Sequence, residues 1–142
     1  MAYLIDTNVL SEMRKRGRGN ARVHAWALRT RVSAIFLSVL VVGEVRRGIE
    51  LLRSTDPAQT ASLEEWLAKV CNVYGGRILP ITQPIAEEWA RLSTPDRIPV
   101  VDGLLAATAK VHKLVLVTRN TRDVVRTGVQ ILNPFDEPSP SP

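Results

Sequence analysis

The 142-residue chain has little of what usually staples, anchors or energises a protein. Its one cysteine, Cys71, leaves no internal disulfide framework and no Cys-rich zinc site. Lying in the apolar pattern Trp66, Leu67, Val70, it reads as a buried structural thiol. Long hydrophobic runs are absent too: the longest, Leu37 to Val42, contains a serine and stops at Gly43-Glu44. That is far short of the ~20 apolar residues a membrane span requires. Asp6 falls where the hydrophobic part of a secretory signal would begin, so a cytoplasmic protein without a membrane partner is expected. There is no glycine-rich loop of the Walker or Rossmann kind to cradle a nucleotide. The two histidines, His24 and His112, fall on separate helical stretches, and neither Ser11 nor Ser38 has the His and Asp partners of an activated nucleophile.

What the chain does contain is a core-forming 45% of hydrophobic residues, enough for one globular domain of ordinary size. It also carries fifteen arginines against four lysines, and a net charge of +5. An excess of that size permits nucleic-acid binding without establishing it.

Apolar and helical patterns alternate along the chain. Residues 2–5 predict a short buried strand, and Thr7-Asn8 a cap for a helical turn bearing Val9, Leu10 and Met13. After the basic loop Arg14–Gly19, Asn20 caps a helix to about Arg29, and Ile35–Leu37 form a second strand. Ser38 starts a long helix with an inward stripe at Val41, Val45, Ile49 and Leu52. Asp56-Pro57 opens another, with Gln59 placed for a capping box and Leu63, Trp66, Leu67 and Val70 as apolar positions. Residues 77–81 predict a third strand, and Thr82 a helix with Ile85, Trp89 and Leu92 inside. An alanine-rich helix from Asp102 to about His112 follows, then strands at 115–118 and 129–132 around a helical turn at 121–127. Such alternation predicts an α/β fold: a central parallel sheet of about five strands, flanked by helices on both faces. Residues 136–142, rich in proline and serine, read as a flexible tail.

Four acids share one position in this pattern, at or just beyond the end of an apolar segment: Asp6, Glu44, Asp102 and Asp123. In a parallel sheet the functional crevice lies outside the carboxyl ends of the strands, so all four can converge there. Each has an ordinary explanation when taken singly. Asp6 could cap the turn after it, Glu44 could pair with Arg47, Asp102 could favour a helix dipole, and Asp123 could be a solvated turn residue. Four such coincidences at one crevice are much less economical than a site for a hard divalent cation, which takes oxygen ligands.

The strings around the acids carry a resemblance. Asp6-Thr-Asn-Val-Leu-Ser, Ser38-Val-Leu-Val-Val-Gly-Glu44-Val-Arg-Arg-Gly48, Asp102-Gly-Leu-Leu-Ala-Ala-Thr-Ala109 and Thr118-Arg-Asn-Thr-Arg-Asp123 closely resemble the PIN-domain ribonucleases. Within them, the chain is similar to VapC-type toxins of the FitB-like branch, to which the closing Leu132-Asn-Pro-Phe135 is also similar. The resemblance runs over residues 1–135 and implies a single PIN domain. It implies an acidic pocket of Asp6, Glu44, Asp102 and Asp123, with polar support from Thr7, Asn8, Thr118 and Asn120. The implied activity is Mg²⁺- or Mn²⁺-dependent cleavage of RNA, tRNA among the candidates, leaving a 5′-phosphate and a 3′-hydroxyl. Implied partners are a cognate antitoxin, which covers the groove and inserts a residue near the acids, and a second copy of the chain. Gly103, where the family usually has alanine, and Val124, where phenylalanine is common, depart from the pattern without removing an acid.

Asp6 and Asp102 are the expected metal ligands, with Glu44 orienting or deprotonating water and Asp123 serving a second metal directly or through water. The basic run Arg14, Lys15, Arg16 and Arg18 is the candidate RNA contact, against the plainer reading of a solvated loop. A catalytically silent PIN-like scaffold is the alternative, disfavoured by the four intact acids. A phosphorylated receiver-like domain would need a late lysine beside its site, a role that Lys110 and Lys113 do not suit.

Overall fold

The structure, a computed structural model, describes residues 1–15 and 17–136. Arg16 of the basic run and residues 137–142 of the expected tail lie outside the described residues. In chain order the elements are β1 (Tyr3–Ile5), α1 (Thr7–Arg14), α2 (Ala21–Leu28), β2 (Ile35–Ser38), α3 (Val39–Leu52), α4 (Pro57–Tyr74), β3 (Ile78–Leu79), α5 (Gln83–Leu92), α6 (Val100–His112), β4 (Val115–Val117), α7 (Thr121–Val124) and β5 (Ile131–Leu132).

The five strands form one parallel sheet in the order β3-β2-β1-β4-β5. From β1 the chain steps outward to β2 and β3, then returns across the sheet to β4 on the other side of β1. Right-handed crossovers require the helices of the outward and return journeys to lie on opposite faces. The packing agrees, with α1 against α2 and α3, α3 against α4, and α5 against α6 as separate groups. The reversal falls between β1 and β4, where a doubly wound sheet opens its ligand crevice.

Burial explains why the strands read as continuous apolar runs rather than alternating ones, since both faces are covered. Leu4, Ile5, Ile35, Leu37, Leu116 and Val117 are inaccessible or nearly so, and Val9, Val23, Trp26, Val41 and Ile49 close over them from the helices. The Trp26 ring meets Tyr3 edge-on, centroids 5.4 Å apart. Helix α6 is buried on most sides, at Gly103, Leu105, Ala106, Ala107, Thr108 and Ala109. Its small side chains let it approach both the sheet and α5 closely.

Several local expectations need correcting. Cys71 is exposed, not buried: the inward stripe of α4 narrows to Leu67, Val70 and Tyr74, and a residue about 100° further round the helix is turned outward. Leu52, Trp66 and Trp89 are half-buried. The cap of α1 is Asp6 itself, whose carboxylate accepts from the Thr7 backbone N–H. Helix α6 starts at Val100, two residues before Asp102, because Pro99 fixes its entry and needs no N–H of its own. Asp56 does cap α4 by accepting from the Gln59 backbone N–H, and Ser38 and Asn20 cap as expected.

Candidate active site

The site begins with one backbone hydrogen bond. Asp6 follows β1, and its N–H donates to the Val117 carbonyl at the end of β4 (2.9 Å). That contact holds the two neighbouring strand ends at the switch point together. The Asp6 side chain is 7% exposed, which is tolerable only because both its oxygens are met. Oδ1 accepts from the Thr7 backbone N–H (2.7 Å), and Oδ2 accepts from the Thr118 hydroxyl (2.8 Å). Thr118 Oγ1 in turn accepts from the Asn120 backbone N–H (3.0 Å), so the β4–α7 turn is tied to the same carboxylate.

The other acids are positioned from helices. Ser38, completely buried, caps α3 by accepting from Leu40 N–H, and fixes where the second turn of that helix emerges. Glu44 lies on that turn, exposed, with Oε1 accepting from the Thr7 hydroxyl (2.6 Å). Gly48, one turn further on, has open space where a side chain would stand, and both line a small pocket of ≈210 Å³ beside the acid cavity. Asp102, in the first turn of α6, accepts from Asn120 Nδ2 (2.8 Å). The same amide donates to Asp123 Oδ2 (2.9 Å), so Asn120 bridges two carboxylates.

Asp6, Glu44 and Asp102 thus face one open cavity of ≈550 Å³, with Thr7, Asn8, Asn120 and the apolar wall Pro99-Val100-Val101. Asp123 is not on the cavity wall and joins the group through Asn120. Asn8 Oδ1 is only loosely met, by Arg119 N–H at 3.5 Å. Burial, and then the charges of Asp6 and Asp123, push the Asp102 carboxyl above the usual carboxylate range. The Asn120 hydrogen bond pulls it back and Glu44 adds a further upward push.

The acids lining the cavity, Asp6, Glu44 and Asp102, offer carboxylate oxygens, the ligand chemistry of a hard divalent ion. Among the described residues no group of three or more His, Cys, Asp or Glu side chains closes into a ready ligand cage. Mg²⁺ does not require one, because it keeps much of its water and takes one or two carboxylates. The cost of a buried charge at Asp102, increased by Asp6 and Asp123, is what such an ion would relieve.

The basic run is only partly available. The Arg14 guanidinium stacks over Trp66, 5.6 Å from the ring centroid, and Lys15 pairs with Glu12 at 3.1 Å, while Arg18 is exposed. Arg14 and Lys15 do line the small pocket that Thr7 and Glu44 also border.

Residues 3–129 match the PIN domain family. The chain belongs to that family. The toxin FitB of Neisseria gonorrhoeae is 34% identical over 140 residues, spanning 94% of this chain and 99% of FitB. A PIN-family relative from Sinorhizobium fredii, the VapC ribonuclease Y4jK, is 29% identical over 138 residues, spanning 94% and 97%. The crystal structure of FitAcB from Neisseria gonorrhoeae superposes with a TM-score of 0.86 at 34% identity, covering 95% of this PIN domain chain and 99% of the other.

Sequence reasoning missed the apolar wall at Pro99–Val101, because nothing in the pattern shows which side of the α6 entry faces the acids. It also left Gly103 unexplained. A Cβ there would lie 2.9 Å from Trp89 Cδ1 and 3.1 Å from its Nε1. The indole of α5 occupies the space that an alanine methyl would need.

Proposed function

We propose that this PIN domain is a metal-dependent endoribonuclease, the toxin of a toxin–antitoxin module that halts translation by cutting RNA. The observation that carries this reading is the convergence of Asp6, Glu44 and Asp102 on one open cavity at the switch point of the sheet. Its likeness to FitB and to a VapC ribonuclease over nearly the whole chain supports the same conclusion. An antitoxin that covers the cavity, and a homodimeric toxin, belong to the proposal.

Asp6 and Asp102 are assigned as the residues that hold Mg²⁺ or Mn²⁺, with Asp123 assisting through Asn120. When bound, the ion lowers the pKa of water and offsets charge on the scissile phosphate. The protein's own share is positional. Thr7 and Thr118 hold the Asp6 carboxylate in one orientation, and Asn120 keeps Asp102 and Asp123 from swinging apart. Glu44, exposed at the cavity mouth and steadied by the Thr7 hydroxyl, takes the proton of the attacking water as general base. Attack on phosphorus then leaves a 5′-phosphate and a 3′-hydroxyl. Arg14, Lys15, Arg16 and Arg18 are proposed to meet the RNA backbone beyond the site.

Purified protein with Mg²⁺ is expected to cut RNA, and Asp6→Asn to reduce cutting to background while retaining the native circular dichroism spectrum. Full cleavage by Asp6→Asn, or in excess EDTA, overturns the metal mechanism. Growth arrest on expression, relieved by co-expressing a small protein encoded beside the gene, tests the toxin role.

A further inference from the structure

A second recess of ≈400 Å³ lies beside the acid cavity, between α5 and the loop entering α6. Trp89, Ala90, Ser93, Arg97 and Val100 are among its lining residues. Val100 lines both recesses and is 59% exposed, so one solvent-facing apolar side chain stands between them.

Two properties define what would fit. The wall carries a half-buried indole, packed against α6 because Gly103 has no side chain to displace it. Trp89 Nε1 and Ser93 Oγ, buried without a hydrogen-bond partner, face Gly103, at 3.1 and 3.4 Å from where its side chain would stand. At the rim, Arg97 gives its backbone carbonyl to Arg126, and its guanidinium has no ion-pair partner among the described residues. The neighbouring acid, Asp96, is already engaged by Arg126 at 3.7 Å. The ligand called for is flat and carries a negative charge.

We propose that this recess is a nucleobase subsite. Single-stranded RNA whose scissile phosphate lies over the acids places a flanking base against Trp89 and the adjoining phosphate at Arg97. Stacking on an aromatic side chain tolerates any base and is a common device for gripping single strands. The proposal rests on the ribonuclease reading above and adds to it the place where a flanking nucleotide is held.

Fluorescently labelled RNA pentanucleotides are titrated, in Mg²⁺, into full-length protein carrying Asp6→Asn so that the RNA stays uncut. Adding Ala90→Phe, which fills the recess from its exposed side, or Arg97→Ala is expected to weaken binding about tenfold. Binding should quench tryptophan fluorescence in the parent and much less in a Trp89→Phe version, which keeps an aromatic core contact if a larger change fails to fold. Equal affinity of the parent and both variants overturns the subsite while leaving the nuclease intact. So does sedimentation showing that Ala90→Phe dissociates a dimer, since a second copy then fills the recess. Failure of the unmodified protein to cut or bind any RNA overturns the ribonuclease reading, and the subsite with it.

Discussion

The Thr118 hydroxyl joins two parts of the site: it donates to Asp6 Oδ2 and accepts from Asn120 N–H. Thr118→Val keeps the shape and removes both bonds, leaving a buried carboxylate oxygen and an amide without partners. A loss of about 1–3 kcal/mol is expected in urea denaturation, the usual penalty for an unsatisfied buried group. Calorimetric titration should show Mg²⁺ affinity falling by about tenfold, as when the support of a metal ligand is removed. An unchanged affinity would place Thr118 in the fold alone. Thr118 and Asn120 were readable as candidates from their position beside Asp123. Their actual partners were not, because a hydrogen bond across 112 residues leaves no periodic trace.

At the scale of elements, α5 and α6 form the least sequence-legible part of the site. The alanine-rich stretch announces a helix that packs closely, and it does. Where that helix starts was misjudged by two residues, since Asp102 looks like a cap and Pro99 takes that role. Gly103→Ala makes the cost of the Trp89 contact measurable. The added methyl would sit 2.9 Å from the indole and force α5 or the ring to move. Overpacking of this kind should destabilise by about 1–3 kcal/mol in thermal or denaturant unfolding. Trp89→Leu in the same chain should recover part of that loss, whereas two additive losses would show that the contact is not the cause. By contrast, the α3 stripe and its Ser38 cap were legible, because apolar spacing and a cap are both local signals.

For the whole molecule, the burial of Asp102 among other acids makes stability depend on pH and on metal. Its carboxyl is held above its unfolded value, chiefly by burial and then by Asp6 and Asp123. Below the ordinary carboxylate range the group is neutral in both states and exacts no penalty. As pH rises through that range and past the raised value, folding must retain a charge that the unfolded chain accepts freely. In the metal-free protein Asp102 should therefore subtract from stability across that interval, read as the difference between the parent and Asp102→Asn, because Glu12, Glu50, Glu64 and Glu88, held below the usual range by their partners, act in the opposite direction. Added Mg²⁺ should restore stability at neutral pH, by about 2.7 kcal/mol at a hundredfold excess over its Kd. A melting temperature indifferent to Mg²⁺ at neutral pH would count against a metal held by these acids.

Local physics settled much of this protein in advance. Apolar runs covered on both faces, helix caps and alternating periods specified a parallel α/β sheet, and the address of the four acids at the ends of apolar segments pointed to a crevice. These are nearest-neighbour properties, which a linear chain displays openly. Tertiary structure decided the rest: that Asp6 is clamped by β4, that Asn120 spans Asp102 and Asp123, that Cys71 faces out, and that Trp89 fills the space left by Gly103. Each of these depends on distances between segments far apart in sequence, and only the packed sheet brings those segments together.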